Sequence, residues 1–330
     1  MNSKKRLARP FVKWAGGKSQ LLEIIRKEYP SKIKKYCEPF VGGGAVLFDV
    51  IGKFQPEEIL INDINKELIN TYSQIKNNCE FLISRLSEIQ SAYKNCSPEG
   101  NKNLFYKNRE RYNELKLRSD DSENLEKAAL FIFLNKTSFN GLYRVNSKGL
   151  FNVPFNNAKN PLLCDEENLR ACSKFLQNVQ MTVGDYSQCK NFIDENTFVY
   201  IDPPYRPLTS TAAFTSYSEK GFSDKEQTEL AGFIEVLSAK GAKILASNSD
   251  PKNADASDNF FDELYSNFEI KRISASRMIN SNAKKRGSIS EILILNYTNE
   301  RGGVLVNEKF RLFPRQFSRQ HCDLQLLHRL

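Results

Sequence analysis

Tyr36-Cys-Glu-Pro-Phe-Val-Gly-Gly-Gly-Ala-Val-Leu-Phe48 reads as a short strand, a glycine turn and the opening of a helix. A second apolar run, Ile59-Leu-Ile-Asn-Asp63, reads as a strand that ends in an acid. Strand, Gly-rich turn, helix and strand, with an acid about 20 residues past the turn, is the pattern of a nucleotide-binding βαβ unit. A glycine cluster alone would be ambiguous. Asp63 at the expected strand end makes the pattern informative.

Outward from this unit, residues 64–135 turn helical and polar. Within 80–90 and 103–116 apolar residues recur three or four apart, and Gly and Pro nearly vanish. A loop-like stretch at 135–160 follows, rich in Asn, Gly, Ser and aromatics. Strand patterns then resume with Val179–Val183 before Gly184-Asp185, and with Thr197-Phe-Val-Tyr-Ile201 before Asp202. Ala242-Lys-Ile-Leu-Ala-Ser247 and Glu291-Ile-Leu-Ile-Leu-Asn296 are further strands. An α/β sheet therefore opens, is interrupted by a mainly helical insert, and resumes. The expected division is a discontinuous domain of 1–70 and 177–298, an insert at 71–176 with a hairpin at 136–156, and a basic tail at 299–330.

The 330-residue chain is long enough for a full core, and its composition is that of a soluble globular protein. Its net charge of +9 is uneven: residues 1–36 carry +9, 271–330 carry +8, and the middle carries −8. Such basic ends suit a polyanion, although exposed Lys and Arg also serve plain solubility. The N-terminus lacks an apolar signal region and no run is long enough to span a bilayer, so a cytoplasmic protein without a membrane partner is expected. Seven scattered cysteines without CxxC spacing point to a reduced compartment. Both histidines, His321 and His328, lie in the last ten residues. Ser-His or Cys-His chemistry and His-ligated metals are thereby disfavoured, and no metal is expected.

Lys13-Trp-Ala-Gly-Gly-Lys-Ser-Gln20 imitates a triphosphate loop only at Gly17-Lys18-Ser19. A P-loop needs glycine at position 12, where Val12 stands, and a buried strand before it, where the chain is basic. The more telling motif is Asp202-Pro203-Pro204-Tyr205, directly after the strand ending at Ile201. Two prolines stiffen the backbone and remove two amide donors, leaving fixed carbonyls as acceptors. An acid, rigid carbonyls and an aromatic ring together make a receptor for a flat amine such as N6 of adenine. Asp202 and the Pro203 carbonyl would each take one N6 hydrogen and free the nitrogen lone pair, with Tyr205 stacked on the base. Attack on a sulfonium methyl would then need only positioning and electrostatics. A base inside a duplex must first be flipped out. An ordinary surface turn is the plain alternative for the motif.

Five ordered motifs carry a family resemblance: Phe11-Val-Lys-Trp-Ala-Gly-Gly-Lys18, Glu38-Pro-Phe-Val-Gly-Gly-Gly44, Asn62-Asp63, Phe139-Asn-Gly-Leu-Tyr-Arg-Val-Asn-Ser-Lys-Gly-Leu-Phe-Asn-Val-Pro-Phe155, and Asp202-Pro-Pro-Tyr205. Over roughly 9–298 the chain resembles the Dam-like, D12 class DNA adenine-N6 methyltransferases, especially the GATC-modifying enzymes of DpnII- and MboI-type restriction systems. The resemblance implies a Rossmann-like sheet binding S-adenosylmethionine, with the helical insert as target-recognition domain. It implies that Trp14, Lys18, Phe40, Gly42, Gly44, Asp63, Asp185 and Asp202 bind the cofactor, Lys18 near its methionine carboxylate and Asp63 on its ribose. Asp202, Pro203, Pro204 and Tyr205 would form the catalytic motif. Double-stranded DNA is the implied substrate, contacted by Lys13, Phe139, Asn140, Leu142, Arg144 and Pro154. Arg144 is the candidate for bidentate contact to a guanine; contact with phosphate alone is the other possibility. The basic loop at 282–286 is expected on the DNA backbone.

The resemblance also implies protection of host DNA beside a restriction endonuclease, a functional partner; an orphan regulatory adenine methylase is the alternative. A cytosine-C5 enzyme is disfavoured because no cysteine follows proline. An N4-cytosine enzyme shares the amine chemistry, though its motif usually begins with Ser. A non-catalytic DNA-binding module explains the charge and the hairpin but not Asp-Pro-Pro-Tyr beside a cofactor turn.

Overall fold

Thr197–Ile201 is buried at every position, as expected for a central parallel strand covered on both faces. The computed structural model describes residues 8–118, 120–206, 222–276 and 288–298; the basic loop at 282–286 and the tail lie outside them. The first quarter of the chain gives α1 (Leu22–Ile25), β1 (Lys35–Glu38), α2 (Ala45–Phe54), β2 (Glu58–Asp63) and α3 (Lys66–Asn77). Then come α4 (Cys79–Asn95), α5 (Pro98–Leu117), α6 (Asn124–Thr137) and α7 (Glu166–Leu176). The remainder is β3 (Val179–Val183), β4 (Thr197–Ile201), α8 (Asp224–Ala239), β5 (Lys243–Ser249), α9 (Phe260–Leu264), β6 (Glu269–Ser276) and β7 (Ser288–Leu295).

The seven strands form one sheet in the order β3-β2-β1-β4-β5-β7-β6. Neighbours from β3 to β5 pair in parallel, while β7 runs antiparallel to both β5 and β6. From β1 the chain first builds outward through β2 and β3, then returns to place β4 on the opposite side of β1. That reversal opens a crevice at the carboxyl ends of β1 and β4, where ligands of open α/β sheets bind.

Strand alternation sorts the interior into two layers. Tyr36, Ile61, Tyr200 and Leu245 share one apolar cluster with Leu68 and Tyr72 of α3, Leu82 of α4, Phe105 of α5 and Phe131 of α6. Cys37, Leu60, Val199 and Ile244 face the other way, onto Leu230, Ile234 and Leu237 of α8. Helix α6 is buried almost all round, from Lys127 to Asn135, which makes it the axis of the helical segment. After it, antiparallel bridges Ser138↔Phe155 and Val145↔Phe151 fold residues 138–155 back on themselves as a hairpin.

Six strands fall where the sequence pattern puts them; β6 does not. Its Glu269-Ile-Lys-Arg-Ile run carries charge where an interior strand is apolar. It lies at the sheet edge, where Lys271 pairs with Glu28 at 2.8 Å and Arg272 with Asp262 at 2.7 Å. Charged residues on an edge strand oppose pairing with another chain.

Candidate active site and nucleic-acid interface

Parity along the strands places Glu38 of β1, Tyr200 at the end of β4 with Asp202 just beyond it, Ser247 of β5 and Glu291 of β7 on one face of the sheet. Lys18, arriving from the N-terminal segment, meets them. It is 3% exposed, and its ammonium lies 2.6 and 2.7 Å from the two Asp202 oxygens. The same ammonium donates to the Gly16 carbonyl and to the Tyr205 hydroxyl, each at 2.8 Å. Ser247 Oγ donates to Asp202 Oδ1 at 3.0 Å and is itself 3.0 Å from the Tyr200 hydroxyl. Burial alone would lower the Lys18 pKa, but Asp202, Tyr200 and Glu291 offset it and leave the ammonium raised above its ordinary value. Burial also pushes the Tyr205 phenol upward, with Asp202 adding to it.

Asp202-Pro-Pro-Tyr205 is therefore an anchored element. Pro203 is buried. The Pro204 carbonyl accepts from Gln227 Nε2 at 3.1 Å, and Asn248 donates in turn to Gln227 Oε1 at 3.2 Å. Arg206 then clamps the motif's exit between Asp224 and Asp258.

Beside this cluster lies the glycine turn. Gly42 and Gly44 have φ of +47° and +74°, a region glycine enters without a side-chain penalty. A Cβ on Gly42 would sit 2.7 Å from Trp14 Cδ1, so the indole packs directly on the turn. Asp63 closes the turn from β2: its Oδ2 accepts from Gly42 N at 3.0 Å and its Oδ1 from Asn65 N at 2.9 Å. Burial pushes the Asp63 carboxyl up to about 6, against these donors. Asn62 ties the strand ends together by donating to the carbonyls of Pro39 and Gly184. Asp185 is exposed at the end of β3, with its Oδ1 on Ser187 N. The ring of neighbouring Tyr186 lies 5.4 Å from that of Phe40. At the end of β1, burial raises the Glu38 carboxyl well above its usual range, although the Tyr36 hydroxyl donates to it at 2.8 Å.

Lys13 and the hairpin come together through Asn135, which sequence reading missed. Its Oδ1 accepts from Lys13 N, and its Nδ2 donates to the carbonyls of Lys13 and Gly141, all at 2.8 Å. Gly141 has no room for a Cβ, because Lys13 Cβ and Cδ would lie 2.8 Å away. Around this junction Lys13, Phe139, Asn140, Arg144 and Pro154 are exposed, and Leu142 is half-buried. Asn152 Oδ1 accepts from Arg144 Nε at 2.8 Å. Asn113 of α5 grips the far strand through both Phe151 N and O. The indole of Trp14 stacks on Tyr143 at 6.1 Å, linking the hairpin to the glycine turn.

An acid after a strand, a fixed Pro-Pro turn and a glycine turn meet at one sheet crevice. The family of D12 class N6 adenine-specific DNA methyltransferases matches residues 14–279. The chain belongs to that family. It is an adenine-specific DNA methyltransferase. Type II methyltransferase M.MjaIII of Methanocaldococcus jannaschii is 45% identical over 88% of this chain and 99% of its own length. Type II methyltransferase M1.LlaDCHI of Lactococcus lactis subsp. cremoris is 39% identical over 88% of this chain and 96% of its own. The DNA adenine methylase of Escherichia coli K12 is 32% identical over 87% and 95% respectively. No helix among the described residues of the enzyme is long and apolar enough to cross a membrane.

Replacing Asn135 by Ala would strand a backbone N–H and two carbonyls in a buried junction. A stability loss of about 1–3 kcal/mol is expected in urea unfolding. An unchanged unfolding midpoint would contradict the tethering role.

Proposed function

We propose that the enzyme methylates N6 of an adenine extruded from double-stranded DNA, with S-adenosylmethionine as donor and GATC as target. The observation that carries this reading is Asp202, fixed at the carboxyl end of β4 beside β1 and held by Lys18 and Ser247, with Tyr205 on the same ammonium. Asp202 and the Pro203 carbonyl accept the two N6 hydrogens, and the rigid Pro203-Pro204 turn holds that geometry. The nitrogen is thereby drawn toward a tetrahedral shape, and its lone pair is freed for attack. Tyr205 packs beside the base.

The residues around the glycine turn fit the donor. Asp63 offers a carboxylate to ribose hydroxyls, Gly42 and Gly44 give the turn the positive φ it needs, and Phe40 with Asp185 flanks the adenine end. Trp14 walls the turn, and exposed Ile64 supplies apolar surface next to Asp63. When bound, S-adenosylmethionine supplies an electrophilic sulfonium methyl. Lys18 was expected near the donor's carboxylate; its ammonium lies on Asp202, so we place it between donor and target.

In this reading residues 1–70 and 177–298 form the catalytic domain, and 71–176 form the target-recognition insert. Arg144 reads a guanine from the hairpin, with Asn152 holding its Nε. Lys13, Phe139, Asn140, Leu142 and Pro154 complete the DNA face. The two relatives named type II methyltransferases favour a role in a restriction–modification system, beside an endonuclease of the same specificity.

Plasmid DNA treated with the purified enzyme and S-adenosylmethionine is expected to resist a GATC nuclease that adenine methylation blocks. Full cutting, with methyl groups found at other adenines, would remove the GATC assignment. Arg144→Ala is expected to lose ~1–3 kcal/mol of discrimination at one base pair, measured by competition between substituted duplexes. Equal weakening on every duplex would make Arg144 a phosphate contact.

Asp63 gives a pH dependence with a definite sign. Ribose hydroxyls donate far more strongly to the carboxylate than to the neutral acid, and the folded-state pKa is about 6. Donor affinity should therefore be full above that pH and weaken as pH falls through it, approaching about tenfold per unit. Calorimetric titration would follow this, and Asp63→Asn should bind more weakly with the dependence gone. A flat wild-type profile would take Asp63 off the ribose.

A further inference from the structure

The Lys18 ammonium sits in the fork of the Asp202 carboxylate, within 2.7 Å of both oxygens. Asp202 Oδ1 also accepts from Ser247. An incoming N6 amine needs one of these oxygens, and Oδ2, which Ser247 does not hold, is occupied by Lys18. Lys18 is 3% exposed, so it cannot yield Asp202 by turning into water; leaving a buried ammonium unpaired is strongly unfavourable. It requires a second anion within reach.

Glu291 meets that requirement. It stands on β7 opposite Ser249 of β5, and its neighbours Leu293 and Leu295 face the same apolar layer as Tyr200. Its Oε2 lies 3.9 Å from Lys18 Nζ and is buried with no hydrogen-bond partner among the described residues. A shift of about 1 Å in the ammonium would turn this long pair into a charge-assisted hydrogen bond. Tyr205 adjoins the ammonium as well: its hydroxyl accepts from Lys18 at 2.8 Å.

We propose that Glu291 is a positioning residue for methyl transfer, taking the Lys18 ammonium so that Asp202 Oδ2, the oxygen Ser247 does not hold, is released to the target amine. This rests on the reading that Asp202 accepts the N6 hydrogens. Glu291 touches neither donor nor base; it acts through Lys18. The exchange conserves charge inside the site, since the amine that replaces Lys18 on Asp202 is neutral and Lys18 stays ion-paired throughout.

The test uses the full-length enzyme on a duplex that the wild type methylates, under single-turnover conditions with saturating donor. For Glu291→Gln we expect methyl transfer to fall by at least about tenfold, because a neutral amide holds an ammonium far less well than a carboxylate. Donor and duplex affinities should stay within about twofold. With 2-aminopurine at the target position, which has no N6 amine, the fluorescence rise on extrusion should match the wild type. Glu291→Asp, which keeps the charge, should recover part of the rate, and it serves also if the glutamine variant fails to fold. The proposal is overturned if Glu291→Gln turns over at the wild-type rate while Asp202→Ala is inactive. It is overturned equally if both Glu291 variants lose donor and duplex binding along with the rate, which would make the side chain structural. Wild-type turnover in Asp202→Ala would instead sink the underlying reading of Asp202.

Discussion

The pair between Lys18 and Asp202 organises the site. It joins residue 18 to residue 202, and so brings the N-terminal segment onto the carboxyl end of β4. The ammonium has left water almost completely, and a buried pair is tolerated only where further hydrogen bonds satisfy both ions. Gly16, Tyr205 and Ser247 supply them. With Lys18 fixed, Trp14 is laid over the glycine turn and Lys13 is delivered to the hairpin through Asn135. One short segment thus touches the Asp-Pro-Pro-Tyr motif, the glycine turn and the hairpin.

Much of the sheet was legible in the sequence because its strands obey simple rules. β1, β2 and β4 are short apolar runs with a glycine, an acid or an Asp-Pro-Pro turn at their carboxyl ends, and ligand-binding strands end that way. β6 was hidden because its alternating charges suit an edge, which a single sequence does not distinguish from a loop. The helical segment was legible as helix but not as arrangement. That α6 runs through its middle follows from burial on all sides, and a continuous apolar run alone does not specify that.

The site was legible residue by residue but not as a network. Asp202 announced itself by its two prolines, and Lys18 by its place in a loop that only imitates a phosphate binder. Their direct contact spans 184 positions, and nothing local encodes it. Ser247, Gln227 and Glu291 looked like ordinary strand and helix positions. Strand parity was the available signal: once Asp202 is known to follow β4, Ser247 and Glu291 fall on its side of the sheet. Asn135 offered no comparable cue, since a polar residue at the end of an apolar helix usually meets solvent.

The central claim is that the Asp202 carboxylate receives the target amine. Single-turnover methylation by Asp202→Ala, measured beside duplex affinity, tests it most directly. A rate loss of at least about a hundredfold is expected, with duplex binding largely retained. Methyl transfer at the wild-type rate would contradict it.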